Sequence, residues 1–200
     1  MTGARVSTLI EQRHADVRLT VALAARDLIL ESRSTAVTVE AIAQRAAVSE
    51  RTFYRHFSSK ADLITPLFER STRQMTHALD GLEPGTAPIV DALVSVFTEE
   101  LAAAPEFAEL FELLVETSEY RLRWERIDPC LVDALTDWLE RWSVHPDDHF
   151  TRRVTALLIM TSSRASHLEW IRAGRPDGVE GLRTLHFASI RAVSEGWLPR

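Results

Sequence analysis

Residues 39–57 carry two apolar stripes at helical spacing, separated by a tight turn. Val39, Ile42, Ala43 and Ala46 stand at i, i+3, i+4 and i+7, which makes one buried face of a short helix. Ala47-Val48 form the turn, and Phe53 and Phe57 then stack at i, i+4 on a second helix. The boundaries are marked as well. Thr38 is placed as the N-cap of the first helix, with Val37 able to staple onto Ile42. Ser49 is placed to cap the second, with Val48 able to staple onto Phe53. The spacing predicts helices over residues 39–46 and about 50–57.

No segment of the chain alternates as a strand does, and its glycines and prolines fall at plausible helix ends. An all-α fold is expected. A first helix is predicted over 17–32, anchored by Leu19, Leu23, Leu28 and Ile29. Ser59 is expected to cap a fourth helix, with Asp62 completing a near capping box. Pro66 falls inside that predicted helix, where it would remove a backbone hydrogen bond and favour a kink. Gly81–Pro88 reads as a linker. Beyond it longer helices are predicted over 89–104, 106–123, 127–143, 146–173 and 179–197, the last following a GRPDG turn. The expected organisation is a three-helix amino-terminal domain over 1–60, a connecting helix over about 60–80, and a larger helical domain over 81–200.

Two short helices joined by a three- or four-residue turn form a helix-turn-helix, whose second helix can enter the major groove of DNA. With Phe53 and Phe57 turned inward, Glu50, Arg51, Thr52, Tyr54, Arg55 and His56 remain around the outside of that helix. Arg51, Thr52 and Arg55 can reach base edges, and an arginine can bind a guanine edge through two hydrogen bonds. Tyr54, His56 and Lys60 are better placed for phosphates, and Thr38 and Ser49, with the free amides of their helix N-termini, offer further anion contacts. Charge agrees with this reading. The chain has a net charge of −6, yet residues 1–60 hold nine basic and six acidic side chains, so +3 sits on the first 60 residues and −9 on the rest. A mildly basic head on an acidic body suits a local polyanion contact.

The stretch TVEAIAQRAAVSERTFYRHFSSKADL, Thr38–Leu63, resembles the DNA-binding domain of TetR-type transcriptional regulators, with the resemblance specific over about Leu19–Leu63. It implies that Tyr54, His56 and Lys60 meet the DNA backbone, and that Glu50, Arg51, Thr52 and Arg55 choose the sequence. One departure is plain: Ala47 stands where the family usually has glycine. An alanine in a left-handed turn costs about 1 kcal/mol, so either the turn is reshaped or the cost is borne.

The resemblance further implies that the region after about residue 80 binds an effector and dimerises. It implies a homodimeric repressor of a double-stranded, palindromic DNA operator, released when a small molecule binds. The alternative is a regulator of the same fold without a small-molecule effector. Two long apolar helices at the carboxy terminus suit a four-helix dimer interface, although the same stripes (Val179, Leu182, Leu185, Ile190, Val193 and Trp197; Val154, Leu157, Leu158, Met160, Leu168 and Ile171) can also bury within one subunit. Candidate lining for a largely apolar effector is Phe107, Phe111, Trp124, Trp138, Met160, Ser163 and His167, with Phe97 and Tyr120 as further candidates. Aromatics at helical spacing equally make plain core. The polar run Thr161-Ser162-Ser163-Arg164 inside an apolar helix needs partners, which a ligand or a second subunit could supply.

Other chemistries find no footing. His145 and His149 stand at i, i+4 with carboxylates between them, a spacing that can bind metal, but Pro146, Asp147 and Asp148 read as an ordinary helix start. No nucleophile motif, glycine-rich phosphate loop or carboxylate pair stands out, so neither catalysis nor a cofactor is expected. The single cysteine, Cys130, excludes an internal disulfide and reads as a small half-buried thiol. No apolar run approaches the roughly 18 residues of a membrane span, and the amino terminus shows no signal-peptide core, so a cytoplasmic chain is expected.

Overall fold

The computed structural model describes residues 2–103, 106–126 and 129–194, all helix, turn or loop. Ala104, Ile127 and Trp197, each assigned above to a helix, lie outside them. The chain divides into two compact units, 1–70 with 109–124, and 71–108 with 125–200, and passes from one to the other after Arg70, Ala108 and Trp124. No helix among the described residues is long and apolar enough to cross a membrane.

The first unit contains α1 (Thr2–Ser32), α2 (Val39–Arg45), α3 (Glu50–His56), a 3₁₀ turn (Lys60–Ile64) and the start of α4 (Thr65–Asp80). Most of α6 (Glu106–Glu116) and of α7 (Ser118–Glu125) joins them, a segment expected in the larger domain. Two clusters hold this unit. In one, Val21 and Ala25 of α1 pack with Ile42, Phe53, Phe57 and Leu63. Phe53 is fully buried, a contribution of about 1.5–3 kcal/mol. In the other, Ala22 and Ile29 pack with Ala61, Ile64 and Leu67, and with Leu110, Leu114 and Tyr120 from the later segment.

Three element boundaries in this unit differ from expectation, each for a physical reason. α1 starts about four turns earlier than predicted. Its first half is too polar to show a stripe, yet it contains no proline to stop it. Pro66 does not interrupt a helix. It sits in the first turn of α4, and because it has no N–H for the Asp62 carbonyl, Thr65 N–H takes that acceptor in 3₁₀ geometry. Pro66 therefore ends a tight turn and opens a helix, where its missing donor costs nothing. The predicted helix over 106–123 breaks at Thr117, whose hydroxyl lies 2.9 Å from that of Thr35 and whose carbonyl starts α7.

In the second unit, α5 (Ile89–Ala103), α8 (Pro129–Arg141), α9 (His149–Arg172) and α10 (Gly178–Ser194) surround a core that includes Leu93, Phe97, Leu135, Trp138, Leu139, Ile159, Met160 and Ile190. α9 begins at His149 rather than at Pro146. Asp148 is the cap, accepting from Thr151 N–H at 2.9 Å and from Thr151 Oγ1 at 2.6 Å. The preceding carbonyls of His145 and Pro146 accept from buried Arg152 at 2.8 and 2.5 Å. His145 has φ +47°, so it and His149 do not share a helical face. Cys130, in the first turn of α8, is exposed rather than half-buried. At the α9–α10 turn the carbonyl of Pro176 accepts from Trp170 Nε1 at 3.2 Å. The same carbonyl approaches Gly181 so closely that a Cβ there would lie 2.0 Å from it.

Candidate nucleic-acid interface

The helix-turn-helix is locally determined. Thr38 Oγ1 accepts from Ala41 N–H and Ser49 Oγ from Thr52 N–H, both at 3.1 Å, so each short helix starts with a satisfied cap. Ala47 carries the turn in the left-handed region at φ +53°. Ala47 N–H donates to Gln44 O at 3.1 Å, and Val48 N–H to Ala43 O at 2.9 Å. The turn is thus kept and alanine bears the cost. Outside the turn, Arg45 grips Glu31 of α1 through two bonds of 2.8 and 2.7 Å, which holds the Glu31 carboxyl below the usual carboxylate range.

Phe53 and Phe57 point inward with ring centroids 5.3 Å apart, and the opposite face of α3 is polar. Glu50, Arg51 and Arg55 are exposed, and Tyr54 is 60% exposed with its ring edge-on to Phe53. Thr52 is half-buried, with its hydroxyl 3.0 Å from Ser49 Oγ. Thr38 and Ser49 are exposed at the two helix starts.

His56 and Lys60 are less open. The His56 ring lies 4.2 Å from that of His14 on α1, and its Nδ1 is buried without a hydrogen-bond partner among the described residues. Burial, then His14, Arg55 and Arg18, hold His56 below the usual histidine range. Lys60 turns back into the head, donating to Thr35 O at 3.0 Å and Val37 O at 3.3 Å. Its ammonium braces the α1–α2 loop through two of its three donors.

The 3₁₀ turn is clamped from α7. Arg123 donates to Asp62 Oδ1 from Nε at 2.9 Å and from Nη2 at 2.6 Å, and to Ser59 Oγ at 3.2 Å. Asp62 also accepts from Ser59 N–H and Oγ–H, both at 2.9 Å. Burial pushes the Asp62 carboxyl up, but these bonds outweigh it and hold it below its usual range.

The residues expected to line an effector site do not form one group. Phe111 and Trp124 belong to the first unit, where Phe111 stacks on Phe68 at 5.9 Å and meets Trp124 edge-on at 5.7 Å. Phe107 packs with Ala108, Trp170 and Leu182 in the second unit. Trp138 and Met160 share that unit's main core. Ser163 and His167 meet around His186, which the sequence reading missed although it centres the buried stripe Leu182, His186, Ile190 on α10. His186 Nδ1 donates to Leu182 O at 3.0 Å, so its Nε2 is the acceptor for the Ser163 hydroxyl, also at 3.0 Å. His167 Nδ1 donates to Ser163 O at 3.0 Å, and its ring meets that of His186 edge-on. Burial, and secondarily His167, push His186 down to about 3.

The polar run on α9 therefore finds its partners inside the chain. Ser162 bonds Ile159 O, Ser163 bonds His186, and Arg164 bonds the carbonyls of Glu125 and Arg126.

Comparison with known proteins agrees with this geometry. Residues 23–65 match the model of the bacterial regulatory proteins of the tetR family. No curated protein matches the chain. A solved structure from Mesorhizobium loti, assigned to the TetR family of transcriptional regulators, aligns over 91% of this chain and 96% of its own, with 15% identity and a TM-score of 0.62. The fatty acid degradation regulator FadR from Bacillus halodurans aligns over 92% and 97%, with 19% identity and a TM-score of 0.61. NalD of Pseudomonas aeruginosa, the secondary repressor of the MexAB-OprM multidrug efflux pump, aligns over 87% and 95%, with 21% identity and a TM-score of 0.52. The chain thus carries, over residues 23–65, a segment matched in sequence to the bacterial regulatory proteins of the tetR family, within an all-helical fold that it shares with these solved structures along nearly its whole length.

Proposed function

We propose that the protein is a homodimeric repressor that grips a palindromic operator with one α3 per half-site and lets go when a small, largely apolar molecule binds its carboxy-terminal unit. The observation that carries the DNA part is the face of α3 opposite Phe53 and Phe57, where Arg51, Tyr54 and Arg55 are all exposed. Arg51, Thr52 and Arg55 read bases, with Glu50 beside them. Tyr54, His56 and the remaining donor of Lys60 hold phosphates, together with the helix starts at Thr38 and Ser49.

Dimerisation is supported by what α9 and α10 leave uncovered. Phe150 is 75% exposed, and Leu157, Thr161 and Ala165 continue its side of α9 at helical spacing. Thr184, Ala188 and Ala192 are exposed along α10, small residues that let helices approach closely. Leu182, Ile190 and Met160 are instead buried in the chain's own core.

For the effector, the supporting observation is at Trp138. Its indole is fully buried, 4.7 Å from that of Trp142, and neither Nε1 has an acceptor among the described residues. Buried N–H groups normally have acceptors, and an apolar molecule carrying an oxygen acceptor would supply one. Release then follows from tighter binding to the DNA-free conformation, and a coupling of about 1–3 kcal/mol weakens DNA binding roughly 5- to 150-fold. The reading without an effector draws on the satisfied bonds of Ser162, Ser163 and His186, which need nothing from outside.

Selection of bound duplexes from a random pool tests the proposal. The expected motif is a palindrome with half-sites about one helical turn, roughly 34–36 Å, apart. Arg51→Ala should relax one position in each half-site and cost about 1–3 kcal/mol. A single asymmetric site, or a motif unchanged by Arg51→Ala, would refute it. A cognate ligand should change tryptophan emission and release DNA over one concentration range.

A further inference from the structure

We propose that His14 of α1 joins His56 and Arg55 in a proton-linked site for a DNA backbone phosphate, making α1 part of the DNA-binding surface. The inference rests on the reading of α3 as the DNA-facing helix. His14 lies outside residues 23–65, the part matched to the family model.

The geometry supplies the site. His14 is exposed, and its ring sits 4.2 Å from the His56 ring, tilted by 50°. Arg55 Nη2 lies 3.5 Å from His56 Nε2. A guanidinium only donates, so in the free protein Nε2 presents a lone pair to Arg55 and the imidazole is neutral. A phosphate oxygen between those two nitrogens reverses the preference. It accepts from Arg55 and from a protonated Nε2, and the His14 ring lies alongside as a further donor. The proton comes from solvent and stays on the imidazole while the phosphate is bound.

The surroundings favour an anion. The groups facing His56 are His14 and Arg18 from α1 and Arg55 from its own helix. Arg18 spans the Phe57 ring, with its guanidinium carbon 5.7 Å from the centroid. Glu69 of α4 is 4.0 Å from Arg18, so one carboxylate partly offsets that charge. Without an anion, burial and these like charges keep His56 below its usual range, and they leave it room to rise when phosphate arrives.

Residues 1–70 and 109–124 contain two histidines, His14 and His56, so any histidine-linked effect within that unit comes from these two. Phosphate contacts are sequence-independent, so an operator is not needed for the test. The probe is a fluorescein-labelled DNA duplex of mixed sequence about two helical turns long. Its affinity for the full chain is measured by anisotropy at about pH 8 and about pH 6 and over a salt series.

The wild-type chain should bind roughly threefold to tenfold tighter at about pH 6 than at about pH 8, since one linked proton gives at most tenfold per pH unit. His14→Gln and His56→Gln should each lose most of that gain. His14→Gln, an exposed helix-compatible change, should also lower the salt slope at about pH 6 by up to about one. Circular dichroism reads whether each variant is folded. A wild-type affinity independent of pH, or a folded His14→Gln with unchanged pH dependence, overturns the site while leaving the DNA-binding reading intact. A wild-type chain that binds no duplex at either pH overturns that reading and the site with it.

Discussion

Replacing His186 with glutamine should remove about 2 kcal/mol of the pH dependence of stability between about pH 8 and pH 5. The unfolded chain protonates this histidine near its ordinary value of 6.5, whereas the folded chain, through burial first and His167 second, holds it neutral down to about 3. Below 6.5 the unfolded state therefore binds a proton that the folded state refuses. Its stabilising contribution is complete above about pH 6.5, falls through the interval, and is fully lost near pH 3. At about pH 5, one and a half units below the unfolded value at about 1.4 kcal/mol per unit, the loss is about 2 kcal/mol. That figure barely changes if the folded value is a unit higher, because His186 would still be neutral.

At about pH 8, His186→Gln should destabilise by about 1–3 kcal/mol, since the Ser163 hydroxyl loses the Nε2 acceptor 3.0 Å away. At about pH 5 the same substitution should cost about 2 kcal/mol less and be close to neutral. The assay is urea unfolding followed by tryptophan emission, wild type against variant, at one protein concentration. Carboxylate titrations are common to both chains and cancel in the difference. A variant that loses as much at about pH 5 as at about pH 8 would show that His186 is not held neutral by the fold, and the tautomer assignment would fall with it.

Three other substitutions follow from geometry, each measured by denaturant midpoint. Ala47→Gly should stabilise the head by roughly 0.5–1 kcal/mol, because relief of the left-handed φ of +53° exceeds glycine's extra chain entropy; an unchanged or lower midpoint refutes the strain. Gly181→Ala should destabilise by about 1–3 kcal/mol or more despite alanine's better helix propensity, since the new Cβ would meet Pro176 O at 2.0 Å; a stabilised variant would mean the turn yields freely. Lys60→Ala should lower stability by about 1–3 kcal/mol as well as weaken DNA binding, because the carbonyls of Thr35 and Val37 lose their donor; a variant with full stability and weakened binding would assign Lys60 to DNA alone.

The α2–turn–α3 unit was legible because everything that defines it is short-range. Thr38 and Ser49 each bond an amide three residues on, and the Phe53–Phe57 pair needs only helical periodicity. Ala47 was legible as a conflict between turn geometry and residue type. What the sequence withheld depends on partners distant in the chain. Nothing local in Ser118–Glu125 announces that Arg123 will bond Asp62, or that Thr117 will meet Thr35. Lys60 reads as a solvent-facing cation until the carbonyls of Thr35 and Val37 are seen beside it. The aromatic candidates show the same limit. Phe111 and Trp138 have equivalent helical patterns, yet one packs in the first unit and the other in the second, because spacing names a buried face without naming its neighbour.

The presence of Leu110, Leu114 and Tyr120 in the core beneath α1 has a consequence during synthesis. The amino-terminal segment reaches Arg70 with every residue of its helix-turn-helix in place, but one of its two apolar clusters still waits for chain up to Trp124. At about 5–20 residues per second, the ribosome needs about 3–10 s to deliver the missing stretch. Through that interval Leu19, Leu23 and Leu67 lack part of their cover, which makes the nascent head a natural client for a chaperone that shields apolar surface. The same arrangement limits exchange between relatives. A graft of the first 70 residues onto another carboxy-terminal body would carry α3 but leave behind part of the floor it stands on.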